Sequence, residues 1–149
     1  MISKILVPTD GSKAARKAAK YAVELAKQTS AALTLLSVID KRFVVSQSIP
    51  SVVSPTHLIE PIEDYLKQAA ESYMEEIEIL CKHNNIQSKA IIRSGHPVEV
   101  IVKEAEKLKV DLIVMGSHGK SAIKAALLGS VTIGVIHKEI KIPVLLVRR

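Results

Sequence analysis

Short apolar runs alternate along the chain with longer stretches in which apolar residues return every three or four positions. The runs Lys4–Val7, Ala32–Ile39, Gln87–Arg93, Val110–Met115 and Val144–Val147 read as strands, and the stretches between them read as helices. Ser12 is placed to cap the first helix, whose stripe is Ala15, Ala18, Ala19, Ala22, Val23, Leu25 and Ala26. So much alanine implies a helix lying close against a sheet. The second helix runs from Ile62 to His83 with Ile62, Leu66, Ala69, Tyr73, Ile77 and Leu80 on one face, and Asn84-Asn85 suits a left-handed ending. The third opens at Gly95-His96-Pro97, with proline at its first position and Val98, Ile101, Ala105 and Leu108 facing inward. A last helix passes through Val135 and Ile136 and stops before Pro143.

Strands alternating with helices imply parallel β/α units joined by right-handed crossovers. The expectation is an α/β fold: one domain over 1–149, with an open sheet of five parallel strands and four helices. Ala32–Ile39 is apolar nearly throughout, as expected of a strand buried on both faces. Residues 40–61 break the pattern. Pro50, Pro55 and Pro61, with Ser46, Ser48, Ser51 and Ser54, argue against a long helix or a central strand there. This variable loop reads either as a surface connection or as a lid over a ligand.

Composition narrows the class. The 149 residues suffice for one domain with a real core, and a hydrophobic share of 48% argues against disorder. Aromatics supply only 3%, so Ile, Leu, Val and Ala must build the interior. The strand pattern begins at once after Met1, leaving no room for a signal peptide, and no apolar run reaches membrane-spanning length. Cys81, the single cysteine, falls on an apolar helix face and reads as a buried, inert thiol. A cytoplasmic location follows as the expectation. The net charge of +6 admits anionic partners, but Lys13, Arg16, Lys17, Lys20 and Lys27 are spaced like a solvated helix face. Stacking aromatics and known nucleic-acid motifs are lacking, so nucleic acid is not the expected partner.

The candidate chemistry lies in Met115–Thr132. The fourth strand runs into Met115-Gly116-Ser117-His118-Gly119, and after nine residues Gly129-Ser130-Val131-Thr132 opens the last helix, a spacing of G-x2-G-x9-G-S. A strand ending in a glycine turn exposes backbone N–H groups, and a helix start adds more, together with the positive end of its dipole. Such a cradle suits a phosphate chain. A Walker A loop would need glycine where Val114 stands, and no stretch matches the G-x-G-x-x-G fingerprint. Ser130 and Thr132 serve either phosphates or the helix cap; Lys120 and Lys124 either screen phosphate charge or are simply solvated. Asp10, at the end of the first strand, suits either a turn before a helix or the hydroxyls of a sugar. His96 and His118 have no second ligand at useful spacing, so a metal site made by protein alone is not expected.

The G-x2-G-x9-G-S spacing, followed by an apolar helix and Pro143-Val144-Leu145-Leu146-Val147, resembles the universal stress protein family in its ATP-binding branch. The opening Ile5-Leu6-Val7-Pro8-Thr9-Asp10-Gly11-Ser12 is similar to that family's first strand and loop. The resemblance implies strand order 3-2-1-4-5 in a Rossmann-like sheet of the adenine nucleotide alpha hydrolase-like kind. It also implies ATP as ligand, with Asp10 at the ribose, Pro8 and Thr9 in the same wall, and the backbone of Val38 at the adenine edge. Mg²⁺ or Mn²⁺ would arrive on the phosphates. In that strand order the first and fourth strands are neighbours whose connections leave in opposite directions, and ligands of open α/β sheets bind at such a switch point. Both arguments meet at one crevice.

The leading reading is a nucleotide-dependent switch in stress signalling. Slow hydrolysis or nucleotidyl transfer, with Asp10 or His118 positioning a water, is one alternative; a partner-binding module with vestigial nucleotide binding is another. The downstream partner is not written in the residues. Val144–Val147, apolar and uncharged at a sheet edge, is a template for pairing, and the resemblance implies a homodimer through it.

Overall fold

A computed structural model describes residues 1–42, 55–118 and 128–148, with side chains of the second helix described from residue 61. Five parallel strands form the sheet: β1 (Lys4–Pro8), β2 (Ala32–Ile39), β3 (Ser88–Ser94), β4 (Leu112–Gly116) and β5 (Val144–Val147). Their order is β3-β2-β1-β4-β5, as the resemblance implied. Among the described residues four helices accompany them: α1 (Lys13–Thr29), α2 (Pro55–His83), α3 (Pro97–Leu108) and α4 (Ser130–His137).

Alternation along the central strands divides the interior in two. Ile5, Val7, Leu33, Leu35, Leu112 and Val114 face α1 and α2, where they meet Ala18, Ala22, Val23, Met74 and Ile77. Leu6, Leu36, Ile113 and Met115 face the other way, onto Val98, Ile101 and Ala105 of α3 and Val135 of α4. Strands covered on both faces have no polar alternation to show, which is why their runs are apolar nearly throughout. Six of the seven buried residues of α1 are alanines, so its backbone comes close to the sheet.

The helix ends follow local chemistry. Ser12 Oγ accepts from Ala15 N at 3.2 Å. Asn85 takes φ 55° after α2, and Ile86 N donates to Cys81 O while Asn85 N donates to Lys82 O. That pair of bonds is the Schellman ending expected of Asn84-Asn85. Lys109 ends α3 in the same way, with φ 53°.

α2 is longer than its sequence suggests. The prolines and serines of 40–61 predicted irregular chain up to Pro61, whereas the helix begins at Pro55 and keeps Pro61 inside it. Pro55 starts the first turn, where a missing N–H costs nothing. Pro61 forfeits one ladder bond in the second turn, within a helix of 29 residues whose later turns are packed on the sheet. Residues 43–54 of the expected loop lie outside the described residues. The stripe of α2 also divides: Ala70, Met74, Ile77 and Cys81 are the most deeply buried, while Leu66, Ala69 and Tyr73 turn toward a cleft. Cys81 is fully buried, and burial raises its thiol pKa, consistent with an inert thiol.

Two details fix β4 against its neighbours. At its N-terminal end, Asp111 Oδ2 accepts from Ser3 N, Ser3 Oγ and Lys4 N at 2.8–2.9 Å, and Asp111 N donates to Lys4 O. At its C-terminal end, a Cβ built on Gly116 would lie 2.9 Å from both the carbonyl carbon and oxygen of Ala14. Only glycine lets the first turn of α1 come so near.

Gly116→Ala should therefore destabilise the protein by about 1–3 kcal/mol, read from the urea midpoint, because the backbone in its way has no rotamer to change. The hydrogen bonds from Ser3 and Lys4 hold the Asp111 carboxyl below the ordinary carboxylate pKa. A depressed pKa contributes stability that is present above the unfolded value, about 3.9, and is lost as pH falls through the folded one. Asp111→Asn should lower the melting temperature at neutral pH, and the gap to the wild type should close in acid.

Candidate functional site

The chain leaves β1 into α1 on one face of the sheet and leaves β4 toward α4 on the other. Between these diverging connections, at the carboxyl ends of β1, β2 and β4, lies a cleft of about 500 Å³. Such a volume is within the range of small-molecule and cofactor sites.

Each wall comes from one element. The end of β1 brings Pro8, Thr9 and Asp10; the end of β2 brings Ser37, Val38, Ile39 and Asp40. Met115, Gly116 and His118 come from the end of β4, and Gly129, Ser130, Val131 and Thr132 from the start of α4. Leu66, Ala69 and Tyr73 of α2 close one side, and His96, Pro97, Val98 and Ile101 at the start of α3 close the other. Every described residue read as a candidate from the sequence thus lines this one cleft, except Ser117. Gly119, Lys120 and Lys124 lie outside the described residues.

Ser117 stands behind the wall, 3% exposed. Its N–H donates to Val147 O at 3.0 Å, its carbonyl accepts from Gly129 N at 2.7 Å, and its Oγ lies 2.9 Å from His118 Nδ1. It joins β4 to β5 and to the beginning of α4, and it orients the imidazole beside it. Thr132 is equally buried and donates its hydroxyl to Gly116 O at 3.0 Å. With that proton committed, its backbone N–H is the donor it retains toward an anion.

The start of α4 forms the part of the cleft that favours an anion. Gly129 is its extended N-cap and supplies no side-chain cap. The first intrahelical bond runs from Ile133 N to Gly129 O at 3.0 Å, so the N–H groups of Ser130, Val131 and Thr132 precede the ladder. Together with the helix dipole they present positive potential to the cleft.

The turn after β1 forms another wall. Asp10 Oδ1 accepts from Ser12 N at 2.9 Å, and Gly11, at φ 77°, takes a conformation that favours glycine. Tyr73 packs directly over this turn, and its Oη lies 2.6 Å from Oγ of the buried Ser37. Burial raises the Tyr73 pKa; the bond to Ser37 opposes the rise and the Asp10 charge adds to it. The phenol stays protonated across the physiological range. At the rim, Arg42 pairs with Asp40 through Nη2–Oδ2 at 3.2 Å and Nε–Oδ1 at 3.3 Å.

Sequence reasoning missed Ser37 and Tyr73 as cleft residues. One signal was available: Ser37 interrupts an otherwise apolar strand end, and a tyrosine in an apolar stripe needs a polar partner for its hydroxyl. Among the described residues no three His, Cys, Asp or Glu side chains converge as a metal site, and no helix is long and apolar enough to cross a membrane.

Comparison with known proteins accords with this geometry. Residues 1–148 match the model of the universal stress protein family. Universal stress protein MJ0577 of Methanocaldococcus jannaschii is 41% identical over all of this chain and 96% of its own. Its solved structure superposes with a TM-score of 0.86, covering 100% of this chain and 97% of that one. UspA from Lactobacillus plantarum, 26% identical, gives a TM-score of 0.85 over 99% and 98% of the two chains. A universal stress protein solved in complex with cAMP is 25% identical, with a TM-score of 0.67 over 99% and 97%. Strand order, the cleft at the switch point and a match along nearly the whole length agree, and the chain belongs to the universal stress protein family.

Proposed function

We propose that this cleft binds an adenine nucleotide, ATP foremost, and that its occupancy serves as a switch in a stress response. The observation that carries the reading is the pairing of opposite chemistries in one cleft. Asp10, a carboxylate with lone pairs for sugar hydroxyls, lines it together with the N-terminus of α4, which has no side-chain cap. Apolar Val38, Met115 and Val131 also stand in its walls, as a base and sugar require. A relative in complex with cAMP supports an adenosine phosphate as the ligand class.

In this reading Gly116, Gly119, Gly129, Ser130, Val131 and Thr132 attend the phosphates, with Ser117 and His118 shaping the turn. Pro8, Thr9 and Asp10 hold the nucleoside, and the backbone of Val38 meets the adenine edge. Mg²⁺ or Mn²⁺ would come with the phosphates and complete its shell with water. The buried thiol of Cys81 fits a reducing compartment, and we place the protein in the cytoplasm. We also propose a homodimer through β5, an edge strand whose Val144, Leu145 and Leu146 are only partly buried. Ile133 and Ile136 are exposed on α4, whose buried face shares a core with Val144 and Leu146.

The test is mass spectrometry of small molecules released by denaturing the purified protein, followed by ATP titration. ATP should be recovered with little ADP; recovered ADP or AMP would point to hydrolysis, and an empty protein that also fails to bind ATP would end the reading. Saturation at a hundredfold excess over Kd should add about 2.7 kcal/mol of stability, visible as a rise in melting temperature. Gly129→Glu should abolish that rise through bulk and like charge. Sedimentation at micromolar concentration should show a dimer, and a monomer throughout the range would contradict pairing through β5.

A further inference from the structure

The turn that carries Asp10 is held from outside itself. Its internal ties are short-range: Ser12 N to Asp10 Oδ1 at 2.9 Å, and Gly11 N to Thr9 Oγ1 at 3.3 Å. The flanks of the turn are tied to the fold, with Thr9 N donating to Leu36 O at 2.8 Å and Ser12 Oγ accepting from Ala15 N at 3.2 Å. The space above Gly11 is filled by an aromatic ring, since a Cβ built there would lie 2.5 and 2.7 Å from Cδ1 and Cε1 of Tyr73. That ring comes from α2, far along the chain from Gly11, and its place is set in turn. Tyr73 Oη is 2.6 Å from Ser37 Oγ, and Ser37 belongs to a central strand and is 3% exposed. A chain of contacts therefore runs from β2 through Ser37 and Tyr73 to Gly11, and so to the carboxylate beside it.

We propose that Tyr73 is a positioning residue for the sugar end of the cleft: its ring, anchored on Ser37, holds the Asp10–Gly11 turn so that the carboxylate meets a ribose diol. The inference rests on the nucleotide reading above and deepens it by assigning sugar selectivity to a residue outside the glycine motif. The physical argument is preorganisation. A carboxylate on a turn free to move must be ordered when the ligand arrives, and that cost comes out of the affinity. Tyr73 makes this a rigid turn at small entropic expense, because a tyrosine side chain has few torsions to freeze. If the ring is removed, Gly11 loses its nearest contact on that side, and glycine has the widest backbone freedom of any residue. The hydroxyl contact with Ser37 fixes the ring; the ring fixes the turn.

The experiment compares binding of ATP and 2′-deoxyATP by calorimetry in the wild type, Tyr73→Phe, Tyr73→Ala, Asp10→Ala and the Asp10→Ala/Tyr73→Ala double variant. The wild type should prefer ATP, and Tyr73→Ala should reduce that preference roughly tenfold, the size of a hydrogen bond to a charged group. Tyr73→Phe, which keeps the ring but loses its anchor on Ser37, should lie between the wild type and Tyr73→Ala. Asp10→Ala should erase it, with no further loss in the double variant, because two residues acting through one contact are not additive. Amide hydrogen exchange at Gly11 and Ser12 should quicken in Tyr73→Ala while β1 and β2 remain protected, which separates a loosened turn from an unfolded chain. An unchanged sugar preference in Tyr73→Ala, or effects that add in full, overturns the inference and leaves the nucleotide reading standing. A wild type that binds no ATP overturns both.

Discussion

The fold turns on one close approach. Where β4 ends, the backbone of Ala14 occupies the place that a side chain on residue 116 would take. The same glycine's carbonyl accepts the Thr132 hydroxyl, and its neighbour Ser117 bonds to Val147 and Gly129. Within two residues, the start of α1, the ends of β4 and β5 and the start of α4 are all brought together. Glycine in this motif is therefore first a matter of packing. The absence of a Cβ lets two chain segments meet, and the cleft is what remains between them.

The cleft is a consequence of the sheet's connections. A helix must cover each face of a parallel sheet, and the chain reaches both faces only by reversing direction once. That reversal lies between β1 and β4, and the two connections part there. Asp111 holds the opposite ends of the same two strands, with three hydrogen bonds to Ser3 and Lys4. The strands that frame the opening are thus tied at both ends, and the site stands on rigid elements.

Polar groups around the opening are engaged rather than idle. Ser12 and Ser117 satisfy backbone or neighbouring groups, Thr132 donates to a carbonyl, and Ser37 pairs with Tyr73. An unpaired hydroxyl in such a place would cost about 1–3 kcal/mol, which these partners avoid. Glu104 shows the contrary case. It is 5% exposed on α3, with Oε1 accepting from Arg93 Nε at 3.2 Å and Oε2 buried without a partner among the described residues. The helix stripe read from apolar spacing gave no hint of it, because a buried carboxylate follows from the tertiary neighbour on β3.

The sequence by itself determined what depends on near neighbours in the chain. The strand bounds of β2 and β5, the Ser12 cap, the Asn85 ending and the alanine face of α1 all follow from local patterns. Their causes lie within a few residues: period, caps and the conformational freedom of single residue types. Only tertiary structure decided the rest. It started α2 at Pro55, because later turns of that helix are packed on the sheet and the local preference of prolines did not prevail. It divided the α2 stripe between core and cleft, and set Ser117 behind the wall. It also brought Tyr73 over Gly11, a contact between residues far apart in the chain that no periodicity encodes. Strand order was of this second kind as well. Periodicity tells which residues are buried, but the adjacency of β1 and β4 is a property of how two buried surfaces fit together.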